Sequence, residues 1–238
     1  MIPNISFIIP AYNEEKRILQ CINSIRSEVF RYNTHWEIIV VDNNSTDWTA
    51  VTASRAGAIV IKEEKKGVVW ARQAGANIAK YELLAFIDAD AIMPKNWIAA
   101  TIKHFFDDTV VGASGRLRFY DVPDYINKVN KYLYYPLAMF LHHYYPTMQG
   151  GNFVIRKSAF EKMGGFDTSI EFWGEDTMTA IKLSKIGRII LDPQMEINTS
   201  GRRLIQDGIF KTTFLYVINY FSVNIIKCPI TKEYKNFR

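Results

Sequence analysis

Asp88 and Asp90 close a short apolar run and are the pair of side chains best placed to do chemistry in this 238-residue chain. Leu83, Leu84, Phe86 and Ile87 come just before them, as in a strand buried on both faces. Side chains alternate along a strand, so the two carboxylates share one side of the segment. Pro94 closes the element. Acids at the C-terminal end of such a strand lie where open α/β sheets bind ligands. They are hard oxygen ligands, suited to Mg²⁺ or Mn²⁺ shared with substrate phosphates. A lone Asp-x-Asp is a frequent chance pattern and describes a solvated turn equally well. The surrounding elements must decide.

Those elements alternate. Ile5 to Pro10 reads as a buried strand, followed by the loop Ala11–Glu15 and an amphipathic helix from Arg17 to Val29. Trp36 to Val41 is a second strand, and the cap-rich run Asp42–Asp47 leads into a helix reaching about Ala56, stopped by Gly57. Ala58 to Ile61 is a third strand, and Val68 to Lys80 a third helix. Four strand–helix alternations with short connections predict a mostly parallel sheet with helices on both faces. Polar residues gather after three strands, at Tyr12–Glu14, Asp42–Ser45 and Asp88–Asp90, and three such loops at one sheet edge make a site. No G-x-G-x-x-G follows the first strand and there is no Walker A lysine loop, which argues against dinucleotide and P-loop chemistry.

Composition narrows the class. The chain is 48% hydrophobic and 22% charged, ordinary for a globular protein of one domain. Cys21 and Cys228 are far apart and lack metal-ligand spacing, so a reducing cytoplasm is the default expectation. No basic-then-apolar N-terminal pattern suggests a signal peptide. The net charge of +5 lies in residues 201–238, which hold seven basic and two acidic side chains, while residues 1–200 balance. A nucleic-acid surface would spread its charge over the fold; this pattern suits a local anionic partner, phosphate or membrane.

The second half changes character. Trp97 to Phe106 reads as a helix, and Val110 to Phe119 as a strand pair or an extended segment. Residues 125–145 are crowded with tyrosines and lysines, consistent with plain core or with an acceptor- or membrane-facing element. The adjacent His142 and His143 diverge and make a poor metal pair. Gly150 to Arg156 reads as a strand, Ser158 with Glu161 as a capping box, Thr177 to Lys185 as a helix, and Arg188 to Leu191 as the last strand.

Taken in order, these pieces resemble a known family. Pro10-Ala11-Tyr12-Asn13-Glu14, Val41 to Asp47, Ala71-Arg72, Asp88-Ala89-Asp90, Gly150 to Arg156, Gly164 to Asp167 and Glu175-Asp176 together are similar to the family 2 glycosyltransferases of the GT-A fold. The resemblance runs from about Ile5 to Leu191. It implies a Rossmann-like nucleotide-sugar-binding half (residues 1–112), an acceptor-binding and catalytic-base half (113–200), and here an added basic, apolar helical tail (201–238). It further implies a metal-dependent, inverting transfer of one sugar from a nucleotide-sugar, a UDP-sugar expected, to a glycan or lipid-linked acceptor, as in cell-surface polysaccharide biosynthesis. By motif position, Pro10, Tyr12, Glu14, Asp42, Asn44, Arg72, Asp88 and Ala89 would bind the donor, with Asp42 on the base. Asp90 with Asp88 would hold Mn²⁺ or Mg²⁺, and Asp176 would be the general base. Gln73 and Lys182 depart from the family's usual residues, the processive Gln-x-x-Arg-Trp motif is absent, and Ser200 to Arg203 could serve a related phosphate role.

The residues add detail to the acceptor side. Trp173 offers an apolar face for a sugar ring, and Glu175 would orient an acceptor hydroxyl. Glu175 and Asp176 are adjacent, so only one is expected to face the site. A helix N-terminus would keep Asp176 at a low pKa. Two other readings compete. A nucleotidyltransferase would carry a basic Gly-rich loop after the first strand, where this chain has Ala-Tyr-Asn-Glu-Glu. A non-catalytic binding module would not need both Asp90 and Asp176. In the tail, the charge-free run Thr212 to Ile226 is short of the ~20 residues a spanning helix needs. It predicts a helix lying on the domain or on the inner face of the membrane, with no nucleic-acid partner.

Overall fold

The computed structural model describes residues 2–170 and 174–231. One seven-stranded sheet runs through it, made of β1 (Ile5–Ala11), β2 (Trp36–Asp42), β3 (Ile59–Lys62), β4 (Leu83–Ile87), β5 (Val110–Phe119), β6 (Asn152–Arg156) and β7 (Arg188–Thr199). The spatial order is β3-β2-β1-β4-β6-β5-β7. All pairings are parallel except those of β6, which runs antiparallel to both β4 and β5. The expected mostly parallel α/β sheet is therefore present. The boundary at residue 112 falls inside β5, so the two halves share a single sheet.

Alternation builds two apolar layers, one on each face. Phe7 and Ile9 of β1 pack with Ile18, Ile22 and Ile25 of α1 (Ile18–Val29) and with Trp97 and Ile98 of α4 (Trp97–Ile102). Ile8, Leu84 and Phe86 face the other way, against Val69 and Ala76 of α3 (Val68–Ile78), Phe160 of α7 (Lys157–Lys162) and Leu183 of α8 (Glu175–Ser184). The remaining early helix, α2 (Thr49–Arg55), packs beside β2 and β3.

Several boundaries differ from the sequence reading for definite reasons. The stretch 97–106 is not one helix, since its last turn, Lys103–Phe106, tightens to 3₁₀. Residues 110–119 form one long strand, not a pair. The last strand does not stop at Leu191. It continues through Asp192-Pro193 to Thr199, with register shifts against β5 that hide it from a simple alternating pattern. No capping box forms at Ser158; α7 starts at Lys157 with no side-chain cap. The aromatic stretch is helical: α5 (Asp124–Val129), a π-turn segment Asn130–Tyr134, and α6 (Tyr135–His142). His142 is structural, with Nδ1 accepting from the Thr147 N–H at 3.1 Å and Nε2 3.1 Å from the Ile189 carbonyl. After β7 come α9 (Arg202–Gln206) and α10 (Ile209–Ile226).

Asn152 pins the sheet end to which the paired aspartates belong. Its Oδ1 accepts from the Trp97 indole N–H at 3.0 Å, and its Nδ2 donates to the Met195 carbonyl at 2.6 Å. Both Asn152 and Trp97 are completely buried. Asn152→Ala removes both polar groups and strands both partners, so we expect a loss of about 1–3 kcal/mol per orphaned group, with a further cost for the space left behind. Chemical denaturation of the two proteins measures it.

Candidate functional site

The site is assembled where β1 and β4 end. Asp88 follows directly after Ile87 of β4, and the Gly150-Gly151 turn entering β6 is drawn against it by the antiparallel β4–β6 pairing. Gly151 has φ +76°, and a Cβ there would lie 2.2 Å from Asp88 Oδ2. Only glycine gives both the left-handed backbone and the room for this carboxylate.

Arg72, on α3, lies across that turn. Its guanidinium is almost fully buried and makes ion pairs with Asp88 at 3.2 Å and Glu175 at 3.0 Å. Burial works against its charge, but Asp88 and then Glu175 outweigh that, and the guanidinium is held more firmly protonated than usual. Its buried Nε has no hydrogen-bond partner among the described residues. An anionic oxygen in the adjacent space would satisfy it.

Glu175 and Asp176 open α8, two residues earlier than the expected Thr177. Asp176 Oδ2 accepts from the Gly150 N–H at 3.1 Å, and its Oδ1 from the Thr177 N–H at 2.8 Å. The expectation that only one acid faces the site is corrected. A Cβ at Gly150 would lie 3.4 Å from Asp176, 3.7 Å from Glu175 and 4.0 Å from Arg72, so all three converge on that turn. The expected low pKa of Asp176 is corrected too. Burial raises it despite the two N–H donors, and burial together with Asp176 pushes Glu175 up to about 7. Arg72 is one positive charge shared among Asp88, Glu175 and Asp176, and it does not offset the burial of the last two.

A second arginine closes the other side. Arg202, from α9, pairs with Asp90 at 2.9 Å and with Glu14, a 3.3 Å bond to Oε2 among its contacts. Thr199, delivered by the unforeseen extension of β7, donates to Asp90 at 3.1 Å. A short bridge between Ile92 and Asn198 holds that strand end against the Asp90 loop.

These groups line one cavity of about 880 Å³. Pro10, Tyr12, Arg72, Asp88, Asp90, Glu175 and Asp176 reach it as expected. Glu14 stands behind Arg202, Ala89 is fully buried in the core, and Asn44 clips the Glu63 and Glu64 carbonyls. Asp42 is buried at the end of β2, and its neighbour Asn43 is the residue that lines the cavity. Trp173 lies outside the described residues. Sequence reasoning missed Gln149, Tyr216 and Tyr220; Tyr134, from the stretch read as plain core or as an acceptor- or membrane-facing element, completes that wall. The two family departures meet at one turn, since Gln73 accepts from the Phe166 N–H at 2.9 Å and Lys182 donates to the Gly165 carbonyl at 2.7 Å.

The donor set can be tested against a divalent ion. Asp88 and Asp90 supply hard oxygens to the cavity, but each also bonds a guanidinium. Among the described residues no three His, Cys, Asp or Glu side chains converge as a cage. The pair fits Mg²⁺ or Mn²⁺ that draws its other ligands from phosphate and water.

A family model described as Glycosyl transferase family 2 matches residues 6–164. The chain belongs to that family. A second model, described as the N-terminal domain of galactosyltransferase, matches residues 138–200. Glycosyltransferase AglE of Haloferax volcanii is 30% identical over 124 residues, covering 50% of this chain and 40% of that protein. Polypeptide N-acetylgalactosaminyltransferase 8 of Drosophila melanogaster is 26% identical over 239 residues, covering 90% and 40%. The chain therefore spans about 40% of the length of these two relatives. A mannosyltransferase from Pyrobaculum calidifontis, solved with GDP-Man and Mn²⁺, superposes with a TM-score of 0.77 at 22% identity, covering 95% of this chain and 64% of that one. Glucosyl-3-phosphoglycerate synthase from Mycobacterium tuberculosis, solved with Mn²⁺, UDP-glucose and phosphoglyceric acid, gives 0.67 at 18%, covering 96% and 81%. The fold of this family 2 member is GT-A.

The raised Glu175 carboxyl has a measurable consequence. A carboxyl that binds its proton more tightly folded than unfolded adds stability below the unfolded value of 4.5, and that stability is lost as pH rises through about 7. Moving from pH 4.5 to 8 should therefore shift the unfolding free energy against the wild type, relative to Glu175→Gln, by roughly 2–3 kcal/mol. Denaturation curves of both proteins at the two pH values supply the comparison.

Proposed function

We propose that this chain transfers a single hexosyl unit from a nucleotide-sugar, with a UDP-sugar as the expected donor, to a hydroxyl of a glycan or lipid-linked acceptor, inverting the anomeric carbon. A part in assembling cell-surface polysaccharide belongs to the same proposal. The observation that carries it is the meeting, in one cavity of a family 2 chain, of the aspartates Asp88 and Asp90, the arginines Arg72 and Arg202, and the acids Glu175 and Asp176. The named relatives and solved structures support the same class of chemistry.

Each residue then has a task. Pro10, Tyr12 and Asn43 border the nucleoside end, with Asp42 beneath it, Arg72 offers its Nε–H to a phosphate oxygen, and Arg202 stands opposite. Asp176, fixed by the Gly150 and Thr177 N–H groups, accepts the acceptor's hydroxyl proton. As that proton leaves, the acceptor oxygen bonds the anomeric carbon and the bond from that carbon to the diphosphate oxygen breaks. The nucleoside diphosphate departs with the electron pair, and its growing charge falls beside the arginines. Glu175 is engaged by Arg72, so its work is to place the guanidinium and the acceptor hydroxyl. Burial raises Asp176 towards the pH at which it works, which makes it a stronger base than an exposed aspartate. Asp90 with Asp88 would hold Mg²⁺ or Mn²⁺, which supplies Lewis-acid stabilisation of diphosphate charge when bound.

Asp176→Asn keeps the size of the side chain and removes proton acceptance. Turnover of UDP-sugar should fall about 10²–10⁴-fold with donor affinity little changed. Near-normal turnover in Asp176→Asn beside a dead Glu175→Gln would assign the base to the other acid. Calorimetry with UDP, GDP and dTDP should find UDP bound most tightly. Asp90→Asn or chelation with EDTA should weaken that binding, and affinity unmoved by either would make the aspartates structural.

A further inference from the structure

The helix α10 is amphipathic in the reverse of the sense expected in water. Of its five buried residues four are polar, namely Thr212, Asn219, Ser222 and Asn224, and only Val223 is apolar. Its exposed positions include Phe210, Phe214, Val217, Ile225 and Ile226, with Phe210 93% exposed. A helix bordered by water hides its aromatics and shows its amides. Here both asparagines are satisfied internally, while the Thr212 hydroxyl borders the cavity with no hydrogen-bond partner among the described residues. Asn219 donates to the Leu215 carbonyl and accepts the Ile230 N–H, and Asn224 donates to the Tyr220 carbonyl.

The aromatic segment of α5 to α6 continues the pattern. Tyr132, Leu133, Leu137, Phe140 and Tyr144 are exposed, with Tyr132 70% and Phe140 66% accessible. Tyr220 joins the two elements by donating to the Tyr145 carbonyl at 2.8 Å, while Tyr145 and Phe221 meet edge to face. Both also wall the cavity, through Val129 and Tyr134 on one side and Thr212 and Tyr216 on the other. Residues 125–149 and 208–231 contain no aspartate or glutamate and carry Lys128, Lys131, Lys211 and Lys227, while Asp124, the first residue of α5, pairs with Lys128 at 3.0 Å.

We propose that these two elements form a docking surface for an anionic phospholipid bilayer, on which the chain lies with its cavity beside the lipid. Large exposed aromatics with lysines in excess over carboxylates match a headgroup layer that is negative outside and apolar beneath. A second copy of the chain would bring like charges together. By length and composition α10 could cross a bilayer, but its Val223 packs on Ile170, Met178 and Ile181 and its Thr212 and Asn219 wall the cavity, so it rests on the domain with its apolar side towards the interface. Such a position hands the site an acceptor carried on lipid. The surface itself does not depend on the proposed activity, because lipid binding is read without turnover.

The test is co-sedimentation of the purified chain with vesicles of phosphatidylcholine alone and of phosphatidylcholine with phosphatidylglycerol. Binding should require the anionic lipid, and weaken about tenfold at roughly 0.5 M salt, where lysine attraction is screened. Phe210→Asp with Phe214→Asp should reduce binding by about tenfold or more while leaving UDP affinity intact, which separates a lost surface from a lost fold. Absence of wild-type sedimentation overturns the proposal. A dimer by light scattering, dissociated by the same substitutions and indifferent to vesicles, overturns it in favour of self-association.

Discussion

The shared guanidinium of Arg72 is the interaction on which the site depends. It leaves α3 in the first half, bonds Asp88 at the end of β4, and reaches Glu175 at the start of α8, 103 residues further along the chain. Nothing else among the described contacts ties the strand-end aspartates so directly to the acid pair. A buried charge of this kind holds its place only while its partners are present, and removing one is far costlier than never having had the pair. Glu175 and Asp176 are equally dependent, because their own burial disfavours ionisation. The strand-end aspartates and the acid pair are therefore set relative to each other by electrostatics as much as by the sheet.

Arg202 makes a second bridge of the same type, from the C-terminal segment back to Glu14 and Asp90. Two arginines thus meet four carboxylates around one cavity. A diphosphate entering there would compete for those guanidiniums, and a divalent ion would compete with them for the aspartates. On the proposed function, loading would be an exchange of partners, with Arg202 leaving Asp90 for phosphate. Arg202 sits only 16% exposed in a short helix that starts just beyond β7.

Much of this was legible in the sequence because the relevant signals are local. The buried strands β1, β2 and β4 are continuous apolar runs, and the polar residues that follow them mark the ligand edge of a parallel sheet. Arg72 and the acid pair were legible through family motifs. What was hidden depends on distant contacts. The extension of β7 past Pro193 is stabilised by β5 and by the Ile92 bridge, and no periodicity announces it. The raised Asp176 carboxyl reflects desolvation by the assembled domain, which a helix N-terminus alone cannot foretell. The inverted polarity of α10 was also invisible, since sequence shows that Asn219 and Asn224 interrupt an apolar run without saying which side they take.

The most direct measurement of the central claim is a crystal structure of the chain grown with UDP and Mn²⁺. The account predicts the diphosphate between Asp90 and the Arg72 Nε–H, the base beside Tyr12 and Asn43, and Arg202 turned from Asp90 to phosphate. A nucleotide bound elsewhere, with Arg202 still paired to Asp90 and Arg72 still short of a partner, would contradict it.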